Sequence, residues 1–189
     1  MKCFRFTEWW YYPKEISKDV CQKIINLGKD KWETGRGPSG KIIKDRKSEV
    51  YWTTEQWLYD LIWPYMLNAN EQAGWNYDIT SAETMQLTKY VKKGYYNWHY
   101  DGIGSHKETI NEPGNKFLHG NARKLSMSLV LNSDFEGGNF KLFGWDDKMP
   151  KLSQGSIIFF PSFLIHRVTP VKQGTRYSLV SWFLGPPFK

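Results

Sequence analysis

Residues 90–101 read Tyr90-Val91-Lys92-Lys93-Gly94-Tyr95-Tyr96-Asn97-Trp98-His99-Tyr100-Asp101, an aromatic run that ends in a histidine and an aspartate two positions apart. On an extended strand side chains repeat every second residue, so His99 and Asp101 leave the same face and are placed to bind one ion as neighbours. A second imidazole stands far downstream at His166, and Arg176-Tyr177-Ser178 follows it. Two imidazoles and one carboxylate form a facial set that leaves three positions of an octahedral ion open, the donor set suited to ferrous iron. Alone, His-x-Asp is weak: 4 His and 19 Asp+Glu in 189 residues give about 0.4 such pairs by accident. The surrounding chain has to decide.

Working outward, residues after Trp75 fall into short β-like runs at 83–91, 125–132, 138–143, 155–161 and 176–184. Gly137-Gly138, Asp146-Asp147, Pro150 and Lys172-Gln173-Gly174 separate them as turns. Two helices are expected before them. Ser17 caps the first, which carries Val20, Ile24 and Leu27 on one face with Ile25 beside them. Thr53 and Gln56 form a capping box for the second, whose apolar face includes Trp57, Leu58, Leu61, Ile62 and Tyr65; Pro64 bends or divides it and Gly74 ends it. The expected fold is mainly β with flanking helices (α+β), a double-stranded β-helix or jelly-roll barrel in a single domain over 1–189. Residues 1–75 are its helical support and 76–189 its catalytic core. Residues 102–124 form a connection long enough to act as a flap over the barrel mouth.

Composition narrows the classes. The aromatic share of 17%, with 10 Trp, 11 Tyr and 11 Phe, suits a rigid β-rich interior and excludes disorder. Cys3 and Cys21 stand in no Cys-x-x-Cys or Cys/His cluster, so neither a zinc ribbon nor a disulfide scaffold has material. No run approaches the ~20 apolar residues that span a bilayer, and the N-terminus has no signal-like stretch, so the expected location is cytoplasmic with no membrane partner. A net charge of +7 favours acidic ligands. Part of that excess, Arg36, Lys41, Lys44, Arg46 and Lys47 against Asp45, lies within 33–50, either as a solvated loop or as a basic lip over a cleft. Arg46 and Ser48 are candidates for the substrate face.

Strand alternation puts Arg176, Ser178, Val180 and Trp182 on one side of the last run. An inward arginine in an apolar barrel requires an anion: either a ligand carboxylate held by its planar fork, such as that of 2-oxoglutarate, or an aspartate at the rim.

The segment 90–101, with Arg123-Lys124-Leu125-Ser126, Leu131-Asn132, Phe135-Glu136-Gly137-Gly138, Phe160-Pro161-Ser162, the run from His166 to Val171, and Gly174-Thr175-Arg176-Tyr177-Ser178, resembles the 2-oxoglutarate and Fe(II)-dependent prolyl hydroxylase superfamily. Its branches include PKHD-type and phage-encoded hydroxylases. The likeness covers residues 83–186, in order and at similar spacing. It implies that His99, Asp101 and His166 are the iron ligands and that Arg176 grips the distal carboxylate of 2-oxoglutarate. Tyr90 is similar to a tyrosine whose hydroxyl reaches the same co-substrate, and Ser178 completes an Arg-x-Ser pattern. Where such chains often carry Tyr before Leu-Asn this one has Val130, leaving Gln86, Ser126 or Ser128 to supply that hydrogen bond. Trp182 is either an aromatic near the iron or ordinary core. His106 and His119 are read as exposed, and Tyr95, Tyr96 and Trp98 as shaping the cleft.

The implied cofactors are Fe(II), 2-oxoglutarate and O2, with ascorbate as an accessory reductant. The implied reaction is hydroxylation of a C–H bond, foremost of a prolyl residue in a peptide or protein, with decarboxylation of 2-oxoglutarate to succinate. A nucleic-acid oxidative demethylase is the alternative that the basic charge favours, but such enzymes usually carry a second Arg six positions after the co-substrate Arg, where this chain has Trp182. A non-catalytic barrel that binds a metal or an acid is the third reading.

Overall fold

A computed structural model describes residues 7–37, 40–102, 109–145 and 148–188. Cys3, His106 and the Asp146-Asp147 turn lie outside them. The described chain runs β1 (Trp10–Tyr12), α1 (Lys18–Leu27), β2 (Glu33–Thr34), β3 (Arg46–Lys47), β4 (Glu49–Thr53) and α2 (Gln56–Gln72). The strands β5 (Ser81–Ala82), β6 (Met85–Tyr90), β7 (Tyr95–His99), β8 (Ala122–Val130), β9 (Phe135–Gly137) and β10 (Phe140–Leu142) follow. β11 (Ile157–Pro161), β12 (His166–Val168), β13 (Val171–Gly174) and β14 (Arg176–Gly185) complete it.

The larger sheet has the order β1-β11-β8-β14-β6-β4-β2, with β5 also on β14; the smaller has β10-β12-β7-β3, and β13 pairs with β9. Every pairing is antiparallel. The fold is a double-stranded β-helix, as expected, and alternation along the central strands explains its layers. Met85 and Leu87 of β6, Leu125, Met127 and Leu129 of β8, Ile157 and Phe159 of β11, and Leu179 and Phe183 of β14 join Ile24 of α1 and Leu58, Ile62 and Met66 of α2 in one fully buried core. Each such side chain taken from water contributes about 1.5–3 kcal/mol. The alternate residues, among them Gln86, Thr88, Tyr90, Ser128, Arg176, Ser178, Val180 and Trp182, line a cavity inside the barrel.

The expected β runs appear with small shifts at their ends. Ser17 caps α1 by accepting from Val20 N at 3.3 Å. The second helix departs from expectation. Its N-cap is Glu55, without a side-chain bond, because the Thr53 hydroxyl accepts from Glu55 N at 3.3 Å and Gln56 donates forward to Asp60 at 2.9 Å. Pro64 does not divide α2: its ring is on the exposed side, and Ile62 and Met66 hold the helix to the sheet around it. The helix ends at Ala73, followed by Gly74 with φ of +76°.

The basic segment 33–50 is not a loop throughout. It supplies β2, β3 and the start of β4, paired as Glu33↔Val50, Arg46↔Tyr96 and Glu49↔Lys89. These pieces are short and charged, as edge strands often are, and carry no alternating apolar pattern. With β1, they make the first 75 residues contribute to both edges of the larger sheet as well as the helices. In the connection after Gly102, Ile110 N donates to Asn121 O at 2.8 Å and Gly120 N to Ile110 O at 3.0 Å, closing a compact turn that leads into β8. His119 is exposed there, as read from the sequence. Among the described residues no helix is long and apolar enough to cross a membrane.

Candidate active site

His99 closes β7 and His166 opens β12, and the two are register partners, which brings their ring centres to 4.1 Å. Asp101 lies just past the end of β7, where its backbone N–H donates to Ser162 O at 2.9 Å and turns its carboxylate back toward the imidazoles. His99 Nε2 is 3.9 Å from Asp101 Oδ1, and His166 Nε2 is 3.5 Å from Asp101 Oδ2. One ligand atom from each residue falls within 4.8 Å of the others. Both Nδ1 atoms face carbonyls, Asn97 O at 2.7 Å and Leu164 O at 2.9 Å. A carbonyl only accepts, so each Nδ1 carries the proton and each Nε2 presents a lone pair toward Asp101.

The charges fit a cation at that point. Burial holds the His99 imidazole down to about 4, His166 beside it acting in the same direction. His99 is therefore neutral near pH 7. Burial alone would raise the Asp101 carboxyl, but His166, His99, Arg123 and the Ser126 hydroxyl outweigh it and keep it below its ordinary value. Ser126 Oγ donates to Asp101 Oδ2 at 2.7 Å and lies 3.0 Å from Ser162 Oγ, so a hydroxyl pair from the larger sheet backs the carboxylate. A neutral His99 with its Nε2 free, a second imidazole held at Nδ1 by a carbonyl, and an ionised, hydrogen-bonded carboxylate are the donor set that iron takes.

Deeper in the barrel, Arg176 is 1% exposed and no carboxylate meets it among the described residues. Its Nη1 donates to Ser178 Oγ at 2.9 Å, while Nη2 has no partner. A rim aspartate, one of the two readings of this arginine, is absent from the described contacts. Burial lowers its proton affinity, with Tyr90 opposing, yet a guanidinium keeps its charge. A buried cation with a free donor is costly unless an anion meets it. Tyr90, its register partner on β6, lies beneath it with the ring centre 5.6 Å from Cζ. A cavity of about 320 Å³ joins Arg176, Ser178 and Tyr90 to His99, Asp101 and His166, a volume suited to a small ligand.

Gln86 and Ser128 line this cavity too, but the Gln86 carbonyl is already engaged by Arg46 Nη2 at 2.7 Å and Thr88 Oγ1 at 3.1 Å. Trp182 lines the cavity with an unpartnered Nε1, near Trp52, and Arg123 lies over its face at 4.2 Å. Arg123 is held by a bidentate pair with Glu83, at 2.5 and 2.6 Å. Tyr96, read from sequence as packing, stacks on His99 with ring centres 3.5 Å apart. Neither the Arg123–Glu83 pair nor the hydroxyl pair behind Asp101 has a local signal, because their members are far apart in the chain.

A model of the 2OG-Fe(II) oxygenase superfamily matches residues 85–184. The chain belongs to this superfamily. A 2OG-Fe(II) oxygenase uses Fe(II), 2-oxoglutarate and O2, and this one is a 2-oxoglutarate-dependent hydroxylase with prolyl 4-hydroxylase-like relatives. It is 27% identical over 183 residues to the PKHD-type hydroxylase YbiX of Shigella dysenteriae, covering 92% of this oxygenase and 76% of that protein. The fold is similar to that of a viral collagen prolyl hydroxylase from Paramecium bursaria Chlorella virus-1 in its 2OG complex, with a TM-score of 0.71, 22% identity and coverage of 95% and 97%. A prolyl hydroxylase from Trichoplax adhaerens, in complex with a peptide fragment of the hypoxia inducible factor oxygen degradation domain, also gives 0.71, at 16% identity and coverage of 93% and 83%.

Proposed function

We propose that this oxygenase, acting as one catalytic domain, hydroxylates a prolyl residue of a peptide or protein while 2-oxoglutarate is decarboxylated. The balance is 2-oxoglutarate, O2 and the substrate C–H giving succinate, CO2 and the C–OH product. His99, Asp101 and His166 are assigned to hold the iron, and Arg176 with Ser178 and Tyr90 to hold the distal carboxylate. The single observation carrying this reading is the unpartnered Arg176 guanidinium, which shares one cavity with a bare imidazole, imidazole and carboxylate set.

When bound, iron supplies the redox chemistry that turns dioxygen into an oxidant strong enough for a C–H bond. The chain's residues do the rest. Ser126 donates to the Asp101 carboxylate and orients it, and the Asn97 and Leu164 carbonyls accept from the Nδ1–H of each imidazole. Arg176 fixes one end of the co-substrate, which sets its orientation. At the mouth, Trp52, Tyr100 and Trp182 offer flat apolar faces that suit a proline ring and shed water from it. That a viral collagen prolyl hydroxylase and a prolyl hydroxylase in complex with a peptide fragment share this fold supports the same substrate class.

Anaerobic addition of Fe(II) and then 2-oxoglutarate tests the site: a visible metal-to-ligand absorption band is expected, and its absence would leave a barrel that does not assemble the reactants. Succinate release is then measured against prolyl peptides, free amino acids and methylated oligonucleotides. Stimulation by prolyl peptides is expected, and stimulation by another member alone rejects the substrate assignment.

A further inference from the structure

Arg46 sits on β3 at the edge of the smaller sheet, in register with Tyr96 of β7. Its guanidinium donates from Nε to Ser48 Oγ at 2.7 Å, from Nη1 to the Arg36 carbonyl at 3.0 Å and from Nη2 to Gln86 Oε1 at 2.7 Å. A planar fork held at all three nitrogens has one orientation. That fork lies over the Tyr96 ring, 4.8 Å from its centre. The same ring stacks on the His99 imidazole, with 3.5 Å between centres and 14° between planes.

His99 needs this support. Its hydrogen bond from Nδ1 to Asn97 O fixes one atom of the ring and leaves the plane free to tilt about it, whereas a ligand aims its Nε2 lone pair only if the plane is set. A stacked aromatic ring sets the plane, and a cation clamped over that ring keeps it from sliding.

We propose that Arg46 is a positioning residue: clamped by Ser48, the Arg36 carbonyl and Gln86, it holds Tyr96 against His99 and thereby aims a metal ligand it does not touch. The inference rests on the assignment of His99 to the metal. It gives Gln86 a role different from co-substrate binding, since its carbonyl is one of the three anchors. It also ties Arg36 and Arg46, which line the cavity, to the geometry of the centre.

Co(II) titration of the whole protein tests it, read as both affinity and visible absorption. Arg46→Met and Tyr96→Leu are each expected to weaken Co(II) binding by about tenfold, the scale of an outer partner of a ligand, and to shift the band. Tyr96→Phe keeps the face and is expected to leave both unchanged. Arg46→Met binding within about twofold of the parent with the parent's band overturns the proposal, as does a Tyr96→Phe loss equal to that of Tyr96→Leu. If Arg46→Met fails to fold, Ser48→Ala and Gly35→Ala replace it. The first removes one anchor, and the second puts a Cβ 2.9 Å from Arg46 Nε. Weakened Co(II) binding in either supports the role, and parent-like binding in both rejects it. A parent that binds no Co(II) rejects the metal assignment itself, while a binding parent with parent-like variants rejects only this inference.

Discussion

Ser126 holds the clearest test of how single side chains tune this centre. It is fully buried and directs its proton at Asp101 Oδ2. Ser126→Ala should weaken metal binding by about tenfold, because the carboxylate loses the donor that orients it. Metal titration checks it, and equal affinities in parent and variant refute it. At the other end of the cavity, Arg176→Ala removes a charge-assisted clamp of roughly 1.5–3 kcal/mol, which predicts a 2-oxoglutarate affinity lower by about ten- to hundred-fold. The titrated absorption band reads that directly. His99, Asp101, His166 and Arg176 were candidates in the sequence through strand spacing taken together with the ordered motifs of the family resemblance, since His-x-Asp alone is weak, and the structure brings them to one cavity. Arg46 was read as one charge in a basic run and as a candidate for the substrate face, and its contacts had no local signal, since its partners Gln86 and Tyr96 come from β6 and β7.

Among the elements, α2 carries the core against the sheet. Ile62 is fully buried there, so Ile62→Ala should cost about 2–5 kcal/mol in urea unfolding while leaving metal affinity unchanged. A matching loss of metal affinity would mean that the helix also shapes the centre. Pro64 is exposed inside the same helix, where it removes one backbone bond, and Pro64→Ala should raise the melting temperature. The strands β6, β8, β11 and β14, rich in buried apolar residues, were legible. The short pieces β1 to β4 were not, since they are mostly polar or lack a clear apolar period and their pairing is decided by neighbours far along the chain. The Thr53–Gln56 capping box failed for a similar reason: the hydroxyl had a nearer donor in Glu55 N.

For the whole molecule, acid is the informative variable. His99 is held to about 4 in the fold against an ordinary 6.5. Between those values the unfolded chain takes up a proton there that the folded chain refuses, so stability is lost as pH falls through the window. Asp101, depressed in the fold, adds a loss of the same sign at the lower end. The urea midpoint of the metal-free protein should therefore drop from pH 7 to pH 4.5, and a flat profile would contradict a neutral buried imidazole.

Positions 86, 88 and 90 of β6, 126, 128 and 130 of β8, and 176, 178, 180 and 182 of β14 look inward, while 85, 87, 125, 127, 129, 179 and 183 grip the helices. Chemistry and robustness are thus written on even and odd letters of the same lines. Directed evolution toward a new substrate would gain most from libraries at the even letters that hold neither iron nor co-substrate, such as 180 and 182, whereas a one-residue deletion in any of these lines would swap both texts at once.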